Sequence, residues 1–248
     1  EAVAGVGVAG NLTFIVLALT QMLAVGTTTL VSHAVGQRNE SRALLVFNQS
    51  QILSAVAGVI FLVVSMGSRT AYAESIAADA VTAQLAGAYL LFYLPAMALQ
   101  FLMNGMAAAL RGVGNFKPGM IVQTATIIIN IVLAPVLMFG VFGLPRLGVS
   151  GAAMATLIAV IVGTVWLSSY FFGGEGYLRF HAADLPPRFG LWADMLKVGL
   201  PAGAEFLMMG VYLILVSALA RPFGAAAQAG FVIGMRVVQA LFMPVVAL

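Results

Sequence analysis

Two charges lie deep inside apolar stretches of this 248-residue chain: Glu205, in a run over 195–220, and Arg236, in a run over 225–248. An ionisable side chain at membrane depth is expensive, and it marks an ion or substrate pathway or a pair with an opposite charge. Glu205, four residues after Pro201, is therefore a candidate ligand for a coupling ion, either a proton or Na+. The competing readings are a neutral, hydrogen-bonded structural acid and a pair with Arg236. Arg236 has Gln239 one turn further on, close enough to share a polar face, and its structural alternative is snorkelling towards the membrane surface. Enzymatic chemistry finds little support. The two histidines, His33 and His181, lie near predicted loops without HExxH spacing, and neither a GxSxG turn nor a phosphate-binding loop is present. Absence of cysteine excludes disulfides and thiolate metal sites, and no cofactor is expected.

The elements that carry these groups follow from composition. Hydrophobic residues make up 62% of the chain and charged ones 8%, with a mean hydropathy of +1.08. Eleven bases and eight acids cannot cover a soluble domain of this size, so the apolar faces must meet lipid. The net charge of +3 is not gathered into a basic, aromatic-interleaved cluster, which argues against nucleic acid. Runs long enough to cross about 30 Å of hydrocarbon occur near 3–32, 44–66, 83–110, 119–142, 147–172, 195–220 and 225–248. Continuous runs such as 127–143 do not alternate as barrel strands do, so all seven are predicted α-helices.

Arg38, Arg42, Arg111, Lys117, Arg179, Arg188 and Lys197 follow the first, third and fifth runs, whereas the opposite turns hold Arg69, Arg146 and Arg221. This bias predicts that the first group is cytoplasmic and residue 1 lies on the outer side of the cytoplasmic (inner) membrane. In "RGVGNFKP" (111–118), glycines permit a tight reversal, Pro118 opens the next helix, and Arg111 and Lys117 anchor the turn at lipid phosphates. In "GVSGAAMAT", small residues at 148, 151, 152 and 155 predict a close helix contact. Pro135, Pro201 and Pro244 predict bends in or at the start of spans. Met208, Met209, Phe206, Phe242 and Met243 suit a pliable apolar cavity. Asn11, Gln21 and Gln100 are further polar groups within spans. "AVAG" (2–5) resembles "AQAG" (227–230), an offset that predicts a parallel repeat of six spans within a longer parent.

"ALRGVGNFKPGM" (109–120), "NIVLAPVLMFG" (130–140), "GLPRLGVSGAAMATLIA" (143–159) and "KVGLPAGAEF" (197–206) together resemble the multidrug and toxic compound extrusion (MATE) transporters of bacterial type. The resemblance covers essentially the whole chain and implies helices 2 to 8 of a two-lobed, twelve-helix, all-α membrane protein. By it, 1–172 is an N-lobe bundle lacking its first helix, 173–193 a cytoplasmic linker and 194–248 the first two helices of a C-lobe. It also implies that Tyr89, Asn104, Asn130 and Thr156 correspond to polar positions that, in some members, surround a proton-accepting aspartate on the first helix. Two positions depart from that pattern. Ala134 stands where some members carry an aspartate, and Met209 where others carry the acid that here falls at Glu205.

The expected activity is secondary antiport of amphipathic, cationic drugs or toxic compounds against H+ or Na+, with a Na+ site near Glu205 as one form. The expected partners are small amphipathic substrates and membrane lipids, not nucleic acid, around a monomer. A flippase for a lipid-linked saccharide is the alternative. It would need a cationic cavity for pyrophosphate, and Arg236 is the only intramembrane cation in the sequence reading.

Overall fold

The computed structural model describes the backbone of residues 2–76, 80–140, 145–172, 177–184 and 186–220. Side chains are described there except at 2–14, 75–82, 182, 210, 213, 214 and 216–220. Six α-helices fill these residues: α1 (Ala2–Gly36), α2 (Glu40–Ile76), α3 (Ala80–Gly112), α4 (Lys117–Phe139), α5 (Val149–Phe172) and α6 (Phe189–Ala220). Each coincides with one of the first six apolar runs, and the seventh, 225–248, lies outside the described residues. The fold class is therefore all-α, as its apolar runs predict. Five described stretches have the length and apolarity to cross a membrane: Ile15–Gly36, Glu40–Glu74, Ala83–Gly112, Lys117–Phe139 and Val149–Phe172.

Helix ends differ from the apolar runs where polar residues continue the helix. The second run ends at residue 66, yet α2 continues to Ile76 because "GSRTAYAESI" contains no proline to break it. Similarly, α6 begins at Phe189, six residues before its apolar run, since the amphipathic stretch "FGLWADMLKV" is already helical.

The chain divides into two compact units, residues 1–204 and 205–248, with the division inside α6. Within the first unit α3 is central, touching α1, α2, α4 and α5. Its core includes Phe47, Leu90, Leu94, Phe101 and Met106, all nearly inaccessible. The outward rows, Val59, Ile60, Val63 and Val64 on α2 and Ile127, Ile128, Ile131 and Val132 on α4, are exposed aliphatic surface suited to lipid.

Small residues set the helix spacing. On α5, Gly151, Ala155, Ala159 and Gly163 are buried at four-residue spacing. A Cβ on Gly151 would stand 2.7 Å from the Leu137 carbonyl, and one on Gly163 would meet Thr126 Oγ1. The predicted stripe at 148, 151, 152 and 155 is corrected accordingly. Gly148 lies in the turn before α5 with φ +54° and Ala152 is half-buried, while the contact row continues deeper into the membrane. On α6, Gly199 abuts the Met22 carbonyl of α1, and Met195 reaches Gly26 of α1.

The two basic turns close alike. After α3, Asn115 N–H donates to Leu110 O at 3.0 Å and Gly114 N–H to Arg111 O at 2.9 Å, with Gly114 at φ +82°. This double bond satisfies the last carbonyls of the helix. After α1, Asn39 N–H donates to Ala34 O and Arg38 N–H to Val35 O, both at 2.9 Å, but Arg38 rather than glycine occupies the left-handed position, at φ +54°. Asn39 Oδ1 then accepts from Arg42 N–H at 3.0 Å and caps α2.

Candidate functional site

Half-buried polar groups of α3, α4 and α5 form two interhelical pairs. Asn130 Nδ2 on α4 donates to Thr156 Oγ1 on α5 at 2.9 Å, and that hydroxyl donates in turn to Ala152 O at 3.1 Å. One stage along α4, Gln123 Nε2 donates to Asn104 Oδ1 on α3 at a long 3.4 Å. Each pair unites two helices through side chains that are half-buried and retain hydrogen-bonding capacity. Among the described residues, Asn130 Oδ1 and Asn104 Nδ2 engage no other protein group. Hydroxyl and amide groups of this kind bind a cation or a ligand hydroxyl without carrying charge themselves.

Of the four positions singled out in this unit, the structure joins two. Asn130 and Thr156 bond directly. Tyr89 is buried in a cluster with Leu90, Leu94 and Ala153, against which Ala152, one turn from Thr156, also packs. Its ring lies 5.0 Å from that of Tyr93. Asn104 is separate, fifteen residues from Tyr89 on the same helix, or about 22 Å along its axis. Gln123, its partner, was not singled out by the sequence reading. Gln21 and Gln100 are half-buried, and the Asn11 side chain lies outside the described residues.

Arg111 and Lys117 are exposed at the two ends of the α3–α4 turn, while Pro118 and Gly119 are buried, with Gly119 against Ala107. This fits an anchored turn whose cations face outward. Glu205, Met208 and Met209 lie on the part of α6 that belongs to the second unit, where all three are exposed and Phe206 is half-buried. Arg236, Gln239, Phe242 and Met243 lie outside the described residues. Among the described residues, no group of three or more His, Cys, Asp or Glu side chains gathers as metal ligands.

Sequence reasoning missed the most densely bonded polar group. In "FNQSQILS" (47–54) of α2, Asn48, Gln49, Ser50, Gln51 and Ser54 are all buried. Asn48 donates to Leu44 O and Arg179 O and accepts from His181 N–H. Gln49 donates to Asp184 O and Pro186 O and accepts from Arg188 N–H and Trp192 Nε1–H. Gln51 Oε1 and Ser54 Oγ, on the next turn, are buried without a protein partner, and Ser54 Oγ lies 2.8 Å from where a Cβ on Gly105 of α3 would stand. The available signal was a run of four hydrogen-bonding side chains, 48–51, inside an otherwise apolar helix, which must find partners beyond its own backbone.

A cavity of about 650 Å³ opens between α2 and α3 at the end opposite the basic turns, lined by Arg69, Thr70, Glu74 and Gln84 among others, and contains none of the predicted site residues.

An apolar helical bundle that holds unsaturated amide and hydroxyl pairs between its helices is the architecture of a polytopic membrane protein with polar groups at membrane depth. A family model described as MatE matches residues 1–136, and the chain belongs to that family. The chain is 28% identical over 98% of its length to the probable multidrug resistance protein NorM of Thermotoga maritima, of which it covers 52%. It superposes with a TM-score of 0.89 on a multidrug resistance MATE family transporter in an outward-facing conformation, at 25% identity, covering 99% of this chain and 54% of that one. An inward-facing MATE family transporter gives a TM-score of 0.83 at 27% identity, covering 98% of this chain and 55% of that one. The chain thus spans about half the length of the relatives it matches.

Proposed function

We propose that the full-length protein is a secondary antiporter that exports amphipathic, cationic drugs or toxic compounds in exchange for H+ or Na+, and that it is not an enzyme. The observation that carries this reading is likeness over almost the whole chain to proteins named for multidrug resistance, one solved facing outward and another inward. In support, the first unit holds Asn130–Thr156 and Asn104–Gln123 as half-buried pairs with unused hydrogen-bonding capacity. The antiporter lies in the cytoplasmic membrane with residue 1 outside, as its loop cations favour, and works as a monomer surrounded by lipid. Residues 1–172 form most of one lobe, 173–193 the linker and 194–248 the start of the second lobe.

Coupling follows from differential binding. A proton or Na+ taken up at Glu205 changes the relative energies of the outward and inward states, and substrate competes for the same charge or for the cavity that Met208, Met209, Phe242 and Met243 help to line. Arg236 and Gln239 set the polarity of that cavity. The test is efflux of a fluorescent organic cation from liposomes containing the full-length protein, under an imposed proton or sodium gradient, with Glu205→Gln in parallel. Gradient-driven efflux lost in the variant is the expected result. Efflux that persists in the variant removes Glu205 from the coupling step, and no efflux under either gradient overturns the antiport reading.

A further inference from the structure

Among the described residues, the segment that precedes α6 has no regular structure beyond one 3₁₀ turn, Ala182–Asp184, yet it is held against α2 at two levels. The first level is apolar. Leu178 is buried, and the Phe180 ring lies 5.2 Å from Phe47, 5.7 Å from Phe171 and 5.0 Å from Phe172, while Phe47 and Phe171 stack at 4.6 Å. The second is polar and comes from two adjacent, fully buried amides. Asn48 takes the main chain at both sides of Phe180, accepting from His181 N–H at 3.1 Å and donating to Arg179 O at 3.2 Å. Gln49 takes it further on, donating to Asp184 O at 2.6 Å and Pro186 O at 2.8 Å.

Gln49 Oε1 also accepts from Arg188 N–H at 2.8 Å and Trp192 Nε1–H at 3.0 Å, on either side of the first turn of α6. Arg188 is itself the residue just before α6, its carbonyl accepting from Leu191 and Trp192 N–H, and its own N–H is one of the helix-end donors without a partner inside the helix. Its acceptor comes from a helix 139 residues earlier in the chain. Beyond this turn Met195 and Gly199 continue the attachment against Gly26 and Met22 of α1.

We infer that Asn48 and Gln49 form a clasp that fixes the main chain of 179–188 and the start of α6 to α2. They are positioning residues for transport. They bind neither substrate nor ion, but they make the start of α6 one solid body with the first helical unit. Motion of that unit then reaches the helix bearing Glu205 without being absorbed in the linker. This last consequence rests on the antiport reading; the clasp itself does not.

Residue-resolved hydrogen–deuterium exchange on the full-length protein in lipid nanodiscs tests the clasp directly. Asn48→Ala is expected to speed exchange at the His181 amide about tenfold while leaving Arg188 protected, and Gln49→Leu to do the reverse. Trp192→Phe removes one donor without altering α2, so it loosens 186–192 less than Gln49→Leu, and it serves where the Gln49 variant does not fold. Unchanged exchange at His181 in the Asn48 variant and at Arg188 in the Gln49 or Trp192 variant overturns the clasp.

Efflux tests the positioning role. Once exchange has risen, the maximal rate is expected to fall several-fold, with the substrate concentration for half-maximal rate unchanged. A maximal rate that holds despite loosened amides overturns positioning. If the unsubstituted protein transports nothing, the antiport reading fails while exchange still decides the clasp.

Discussion

Two sets of amides in one helical unit, one fully buried and one half-buried, are used in opposite ways. Asn48 and Gln49, at the basic end of α2, have their donors and acceptors engaged, with seven hydrogen bonds between them. Asn130 and Asn104, half-buried among α3, α4 and α5, each meet one side chain and keep part of their capacity open. A saturated amide in a low-dielectric interior fixes one geometry, because every alternative leaves a polar group unpaired. An unsaturated one can exchange its neighbour for an ion, a ligand or a water at small energetic cost. By this criterion the clasp shapes the molecule, and we propose that the α3–α4–α5 groups serve transport.

The contrast can be broken by stability measurements. Gln49→Leu strands two N–H donors and two carbonyls, and the full-length protein is expected to lose about 2–4 kcal/mol of stability, seen as a lowered thermal midpoint in detergent. A loss below about 1 kcal/mol would mean that water replaces the amide and that saturation carries little weight. Thr156→Val, which deletes one interhelical bond without changing side-chain shape, is expected to shift stability by about 0.6 kcal/mol. Gln123→Leu, which removes a bond of 3.4 Å, should change it by less than about 0.5 kcal/mol in either direction. A large loss in either of these would place the α3–α4–α5 pairs with the structural amides.

The elements that could be read from the sequence are those that depend on composition alone. Continuous apolar runs without alternation give helices, and the six described helices coincide with them. The α3–α4 turn was legible because glycine at 114 and proline at 118 carry their geometry with them. The α1–α2 turn was less so, since Arg38 takes a left-handed conformation that its residue type disfavours. Asn130 and Thr156 were singled out by resemblance rather than by spacing, and their bond could not be read from the sequence because twenty-six residues and an intervening turn separate them. The clasp stayed hidden for the same reason on a larger scale. Its distant partners lie 131 to 143 residues away, and all but the Trp192 indole are main-chain groups whose residue types give no signal. What the sequence did hold was the demand for partners, four polar side chains in a row within an apolar helix.

The measurement that tests this division most directly compares Asn130→Ala with the unsubstituted full-length protein in two assays, gradient-driven efflux and thermal unfolding. The account predicts efflux reduced at least about tenfold with a thermal midpoint nearly unchanged. Efflux that persists while the midpoint falls by several degrees would contradict it, and would make Asn130 a structural amide like those of α2.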